Sequence, residues 1–212
     1  MVEEITILAV KRALESSPER NFRQSVDLAI NLKDVDLSNP KNRIQEDIVL
    51  PHGRGKSLKV CVIGGAELAE KAKGVADLII TPEELGEIAD DKTQAKKVAS
   101  QMDFFIAEAP LMPQIGRRLG IVLAPRGKMP KPIPPGADPE PMIESLRRTV
   151  SIRTRDKRTF QAPVGTVDMT PEELAENVDA VLKRVASKLE KGNMNIDSAY
   201  VKTTMGPAEK VL

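Results

Sequence analysis

The sequence predicts an α/β protein of two domains, with a central parallel segment inserted into a split α+β domain contributed by both chain ends. Three observations predict it. Nearly continuous apolar runs at 58–63, 76–80 and 103–107 alternate with helical stretches, the pattern of parallel strands covered on both faces. The flanking regions instead hold strands of period two and single amphipathic helices. The 212 residues are 41% hydrophobic but include only four Phe, one Tyr and no Trp, so the cores are aliphatic and broad base-stacking platforms are improbable.

Residues 3–16 suit a helix, with Ile5, Leu8, Ala9 and Ala13 at helical spacing, stopped at Ser16-Ser17-Pro18. Val26, Leu28, Ile30 and Leu32 then alternate with Ser25, Asp27, Ala29 and Asn31, a strand with one buried and one mostly polar face. Asp47–Leu50 makes a short second strand, and His52-Gly-Arg-Gly-Lys56 a connector. Leu58–Ile63 is the first buried strand, followed at Gly64-Gly65 by the helical stretch Ala66–Lys73.

Ala76–Ile80 is the second buried strand, and Thr81-Pro-Glu-Glu84 a capping box opening the next helical region. Asp103–Ala107 is the third strand, Pro110–Leu119 a helix and Gly120–Leu123 a fourth strand. Residues 125–141 hold seven of the sixteen prolines and read as a loop. A short helix at Pro141–Arg148 leads to renewed alternation over Val150–Val164. A second capping box, Thr170-Pro-Glu-Glu173, opens a helix with Leu174, Val178, Val181, Leu182, Val185 and Leu189 on one stripe and Gly192 as its stop. A strand over Ile196–Thr204 ends at Met205-Gly206-Pro207. The connectors near 52–56 and 150–158 are expected to form a hinge.

Composition excludes several chemistries. One Cys and one His cannot build a Cys/His zinc site or an intrachain disulfide. Cys61 sits in the apolar run 58–63 and reads as a core residue. Gly55-Lys56-Ser57 lacks the P-loop glycine five residues earlier, where Leu50 stands. Gly64-Gly65 with Thr81 leaves open a nucleotide or small-molecule site at the carboxyl ends of the central strands. Neither a catalytic constellation nor a metal or cofactor site is found. No apolar run approaches the ~20 residues of a membrane span, and the start Met-Val-Glu-Glu lacks a signal-peptide shape, so the chain is expected to be soluble and intracellular.

Net charge is +1, from 32 basic and 31 acidic residues. Basic side chains cluster at 117–131 and 147–158, acidic ones at 83–91. At both chain ends two readings arise, and the residues alone favour the first of each. Phe22 is either a staple or core residue or part of an RNA surface, and Thr204-Met205-Gly206 either a turn or part of that surface.

Five stretches carry a resemblance. Ser198-Ala-Tyr-Val-Lys-Thr-Thr-Met-Gly-Pro207 resembles the C-terminal hallmark of the ribosomal protein L-one family of the large subunit. Asn21-Phe22-Arg-Gln-Ser25, Leu50-Pro-His-Gly-Arg-Gly-Lys56, Ala124-Pro-Arg-Gly-Lys-Met-Pro130 and Phe160-Gln-Ala-Pro-Val-Gly165 resemble further family landmarks, in family order over nearly the whole chain.

The resemblance implies no enzyme. It implies a split RNA-binding domain over 1–54 and 154–212, and an inserted Rossmann-like three-layer domain over 55–153. It also implies a mobile stalk of the cytoplasmic large ribosomal subunit near the exit-site tRNA, with a second role as translational repressor on the protein's own mRNA. The expected partners are large-subunit rRNA, exit-site tRNA and that mRNA, with the free protein monomeric. Carried residue by residue, RNA contacts fall on Phe22, Ser25, Ser198, Thr204, Met205 and Gly206, with Asp27 and Gly165 as weaker members. Charge does not lead to this site. Residues 55–153 hold 15 basic against 13 acidic groups, while the ends hold 17 against 18. Attraction is therefore expected from local groups such as Arg155, Lys157, Arg158 and Lys202, and specificity from shape, hydroxyl and backbone contacts.

Overall fold

A computed structural model describes all residues except 1–3, 38, 40, 41, 155 and 156. In chain order its elements are α1 (Glu4–Glu15), β1 (Ser25–Leu32), β2 (Gln45–Val49), β3 (Val60–Ile63), α2 (Ala66–Ala72), β4 (Leu78–Ile80), α3 (Pro82–Asp90) and α4 (Lys92–Gln101). There follow β5 (Phe104–Glu108), α5 (Met112–Arg118), α6 (Gly120–Arg126), β6 (Lys131–Ile133), α7 (Glu140–Arg147), β7 (Thr149–Arg153), β8 (Thr159–Thr166), α8 (Pro171–Lys188), β9 (Ile196–Thr203) and β10 (Ala208–Lys210). Two compact units result, Met1–Lys56 with Arg148–Leu212, and Ser57–Arg147.

In the split unit an antiparallel sheet runs in the order β10-β9-β1-β8. The alternation read in β1 is realised: Val26, Leu28, Ile30 and Leu32 are buried while Ser25, Asp27, Ala29 and Asn31 stay half-buried. Period two sends these two sets to opposite faces, and burying each aliphatic side chain contributes about 1.5–3 kcal/mol. Helices α1 and α8 share the buried residues' core. Thr170 caps α8 as predicted, accepting from Glu173 N at 3.3 Å while Glu173 Oε2 accepts from Thr170 N at 3.0 Å. Its apolar stripe enters the core, but the helix ends at Lys188, before Gly192, which takes φ +57° in the following turn.

The face of α1 differs in part from the expected one, with Ala9 and Ala13 buried but not Ile5 and Leu8. Ile5 and Leu8 of α1 are 62% and 54% exposed, and the buried stripe is Thr6, Ala9, Val10 and Ala13. Thr6 Oγ1 donates to Asp179 Oδ1 of α8 at 3.3 Å, and Ile7 and Leu14 flank the buried stripe, partly buried against the same core.

Strands β2 and β7 form a separate antiparallel pair, with Ile48, Val150 and Ile152 in the same core. Glu46 of β2 accepts from Lys188 and Arg184 of α8, each at 2.7 Å. These bonds, that of Lys188 first, hold its carboxyl below the usual carboxylate range.

The connector expected as half of a hinge is fastened to its own unit. Buried Asn177 of α8 donates to Gly53 O at 2.9 Å and Val164 O at 2.8 Å, and accepts from His52 N at 3.2 Å. His52 Nε2 lies 2.6 Å from Glu176 Oε2. Gly53 and Gly55 turn the chain at φ +66° and +67°, a region costly for residues with a Cβ. On the return connector, Thr154 is also buried, its hydroxyl accepting from Ile44 N at 2.7 Å.

The central unit is a parallel sheet in the order β4-β3-β5-β6. Cys61, Ile63, Phe105 and Ala107 face α3 to α6, while Val60, Val62 and Ile106 face α2 and α7, giving three layers. Thr81 forms the predicted reciprocal cap with Glu84. The expected strand Gly120–Leu123 is instead helix α6. Leu119, Val122 and Leu123 recur at helical spacing and are buried, and a short apolar run does not distinguish strand from helix. The fourth strand lies at Lys131–Ile133, inside the stretch expected to be a proline loop. Pro132 is tolerated there because β6 is an edge strand.

Candidate nucleic-acid interface

The open face of β1 and the loops at its start bring together residues from both chain ends. Ser25 opens β1. Its N–H donates to Thr204 Oγ1 at 3.0 Å, and its carbonyl accepts from Thr204 N at 3.0 Å and Thr204 Oγ1 at 3.2 Å. Lys56 Nζ donates to Ser25 Oγ at 3.2 Å. The turn after β9 is closed by Gly206 N donating to Thr203 Oγ1 at 3.0 Å, and Thr203 Oγ1 lies 2.8 Å from Ser17 Oγ. A Cβ at Gly206 would stand 2.3 Å from Thr203 Oγ1, so only glycine fits that turn unchanged.

On this scaffold Phe22 is 51% and Met205 53% exposed. Phe22 is thus not a core residue, and Met205 does not fold back into the protein. An open groove of about 350 Å³ lies beside Phe22, lined by Leu14, Pro18, Arg20, Gln24 and Val167. Asp27 is half-buried and sits opposite Lys202 on β9 and Pro163 on β8.

Phe22, Ser25, Asp27, Thr204, Met205 and Gly206 therefore cluster at one end of the sheet. Ser198 lies six residues up β9 from Thr204, about 20 Å away at strand rise. It is buried and accepts from Asn31 Nδ2 at 2.9 Å, whose Oδ1 in turn accepts from Thr159 Oγ1 at 2.8 Å. Gly165 is buried in β8, where a Cβ would meet Leu174 Cδ2 at 2.3 Å and Met169 Sδ at 2.8 Å. Its missing side chain is explained by packing against α8.

The expected basic groups are divided. Lys202 lies beside the patch. Lys157 and Arg158 are exposed at the far end, where Arg158 O accepts from Leu32 N at 2.9 Å. Arg155 lies outside the described residues. Arg23, next to Phe22, pairs with Asp168.

Sequence reasoning missed Gln24. It is 4% exposed, and its amide joins the Phe22 loop to Met205 N. A signal existed: position 24 shares the parity of Val26, Leu28 and Ile30, so a polar residue there extends the buried set and needs partners.

The alternative site in the central unit is occupied by the protein itself. At Gly64-Gly65 the Gly65 N–H donates to Glu108 Oε1 at 3.1 Å, placing a carboxylate where a phosphate would bind. Thr81 Oγ1 caps its own helix. Burial pushes the Cys61 thiol up to about 12, so it stays protonated and unreactive. Among the described residues no group of three or more His, Cys, Asp or Glu could hold a metal ion, and no helix is long and apolar enough to cross a membrane.

Comparison with known proteins agrees in kind. The large ribosomal subunit protein uL1 of Methanocella arvoryzae is 55% identical over 213 residues, covering 100% of both chains. That of Thermoplasma volcanium is 54% identical over 96% of this chain and 94% of its own, and that of Haloferax volcanii 51% identical over 96% of each. These relatives carry the names of ribosomal proteins, not of enzymes. Residues 13–207 match the ribosomal protein L1p/L10e family, and with that coverage and these identities the chain belongs to it.

Proposed function

We propose that this protein is a constituent of the large ribosomal subunit that binds ribosomal RNA through the split unit, at the patch of Phe22, Ser25, Asp27, Thr204, Met205 and Gly206. Ser198 extends the contact along the sheet, and Gly165 holds β8 against α8 beneath it. One observation carries the reading: two large apolar side chains, Phe22 and Met205, stand exposed on loops from opposite ends of the chain, and hydrogen bonds tie these loops together. Hydroxyls, a close-approach glycine and two flat apolar contacts suit sugar and backbone of folded RNA better than a reaction.

As in the family resemblance, the bound RNA forms a mobile stalk near the exit-site tRNA, and a similar structure in the protein's own mRNA makes it a translational repressor. Binding of the full chain to large-subunit rRNA transcripts tests the site. Phe22→Ala and Met205→Ala are expected to weaken binding roughly tenfold each with unchanged melting temperature. Wild-type affinity in both variants would remove the site. Competition by the protein's own mRNA leader tests repression, and a leader that fails to compete removes that role.

A further inference from the structure

We propose that Gln24 is a positioning residue of this interface: it touches no RNA and acts by holding the Met205 turn in its binding geometry. The inference rests on the RNA reading above.

Gln24 Nε2 donates to Pro18 O at 2.8 Å and to Ser17 Oγ at 3.2 Å, while its Oε1 accepts from Met205 N at 3.1 Å. The partners leave one orientation for the amide. Pro18 O can only accept, so it must face the NH2 group; Met205 N–H can only donate, so it must face the oxygen. Both amide protons and one oxygen lone pair are used within the protein, and the side chain is 4% exposed. Gln24 borders the groove beside Phe22 but has no N–H left to offer a ligand there.

The residue spans two segments that local sequence does not join. On one side lies the loop 17–22 that carries Phe22, on the other the turn 204–206 that carries Met205. A parallel tie runs from Ser17 Oγ through Thr203 Oγ1 to Gly206 N. Thr204 is bonded to Ser25 independently. Loss of Gln24 therefore leaves the turn attached to the sheet but frees the Met205 amide. An apolar anchor that must be ordered during binding contributes less than one held beforehand.

The test is a double-mutant cycle on the full chain with large-subunit rRNA transcripts, using Gln24→Met, Met205→Ala and the combination. Gln24→Met keeps the volume and removes the side-chain hydrogen bonds, while the backbone bond from Val167 N to the carbonyl of residue 24 remains. It is expected to weaken binding about tenfold alone and less than about twofold in the Met205→Ala background. Hydrogen exchange at the Met205 amide is expected to rise about tenfold or more in Gln24→Met while exchange at the Leu28 amide stays unchanged. Ile152→Val, in the buried face of β7, is the stability control and is expected to bind as wild type. Additive losses, or wild-type binding by Gln24→Met beside a weakened Met205→Ala, overturn the proposal. If Met205→Ala itself binds normally, the RNA site has failed and the positioning role falls with it.

Discussion

Gly206 and Thr203 meet at the limit of atomic contact: the Gly206 N–H donates to Thr203 Oγ1 at 3.0 Å, and a Cβ at 206 would lie 2.3 Å from the same oxygen. Thr203 is fully buried and also engaged with Ser17, so it has no open space to retreat into. Gly206→Ala is expected to destabilise the protein by about 1–3 kcal/mol and to weaken RNA binding beyond that loss. Chemical denaturation read beside an RNA titration checks both. An alanine variant as stable as wild type would show that the turn relaxes freely.

Gly165 makes the same kind of contact for a different purpose. Alanine there must displace fully buried Leu174 as well as Met169, and about 1–3 kcal/mol of stability should be lost. RNA affinity measured well below the melting temperature should stay near wild type. A large loss of affinity without loss of stability would return Gly165 to the RNA contact surface.

Glu46 gives the split unit an acid-sensitive fastening. Its carboxyl is held below the ordinary value of 4.5, by Lys188 first and then Arg184. A group whose folded pKa is depressed contributes stability that is complete above its unfolded value and disappears as pH falls through the folded one. Glu46→Gln should lower the melting temperature near neutral pH, and the effect should shrink progressively as pH falls below 4.5 toward the lowered folded value. Melting curves at about pH 7 and about pH 3 measure this. An equal effect at both ends would contradict the ion-pair origin.

The patch holds few cations among the described residues, with Arg20 in the groove beside Phe22. Arg23 pairs with Asp168, Lys56 reaches Ser25 and Lys202 sits opposite Asp27. With ~3–4 phosphates neutralised, the logarithm of RNA affinity should fall against the logarithm of salt with a slope of roughly −2 to −4. Filter binding across a salt series measures it. A slope steeper than about −8 would mean an ionic mechanism.

Much of the local structure was legible because short-range physics decides it. The parity of residues 25–32 gave β1 both its faces. Two capping boxes placed the starts of α3 and α8, since Thr and Glu satisfy the same orphan amides wherever a helix begins. The apolar runs around Cys61, Ile79 and Phe105 announced strands covered on both sides. Family motifs pointed to Phe22 and Thr204-Met205-Gly206, for which the residues alone favoured a core position and a turn.

Tertiary structure decided what no local pattern contains. Gly120–Leu123 became helix, and Lys131–Ile133 the edge strand, because burial against α4 and beside β5 outweighed a short and ambiguous run. Ile5 and Leu8 turned outward because the face of α1 that meets the core is the one with Thr6, Ala9, Val10 and Ala13, and Thr6 is bonded to Asp179 of α8. Gln24 acquired its task only when Met205, 181 positions away, arrived beside it. A residue's periodicity fixes which face it occupies, whereas its partner depends on which distant strand closes next to it, and that choice belongs to the packing of the whole unit.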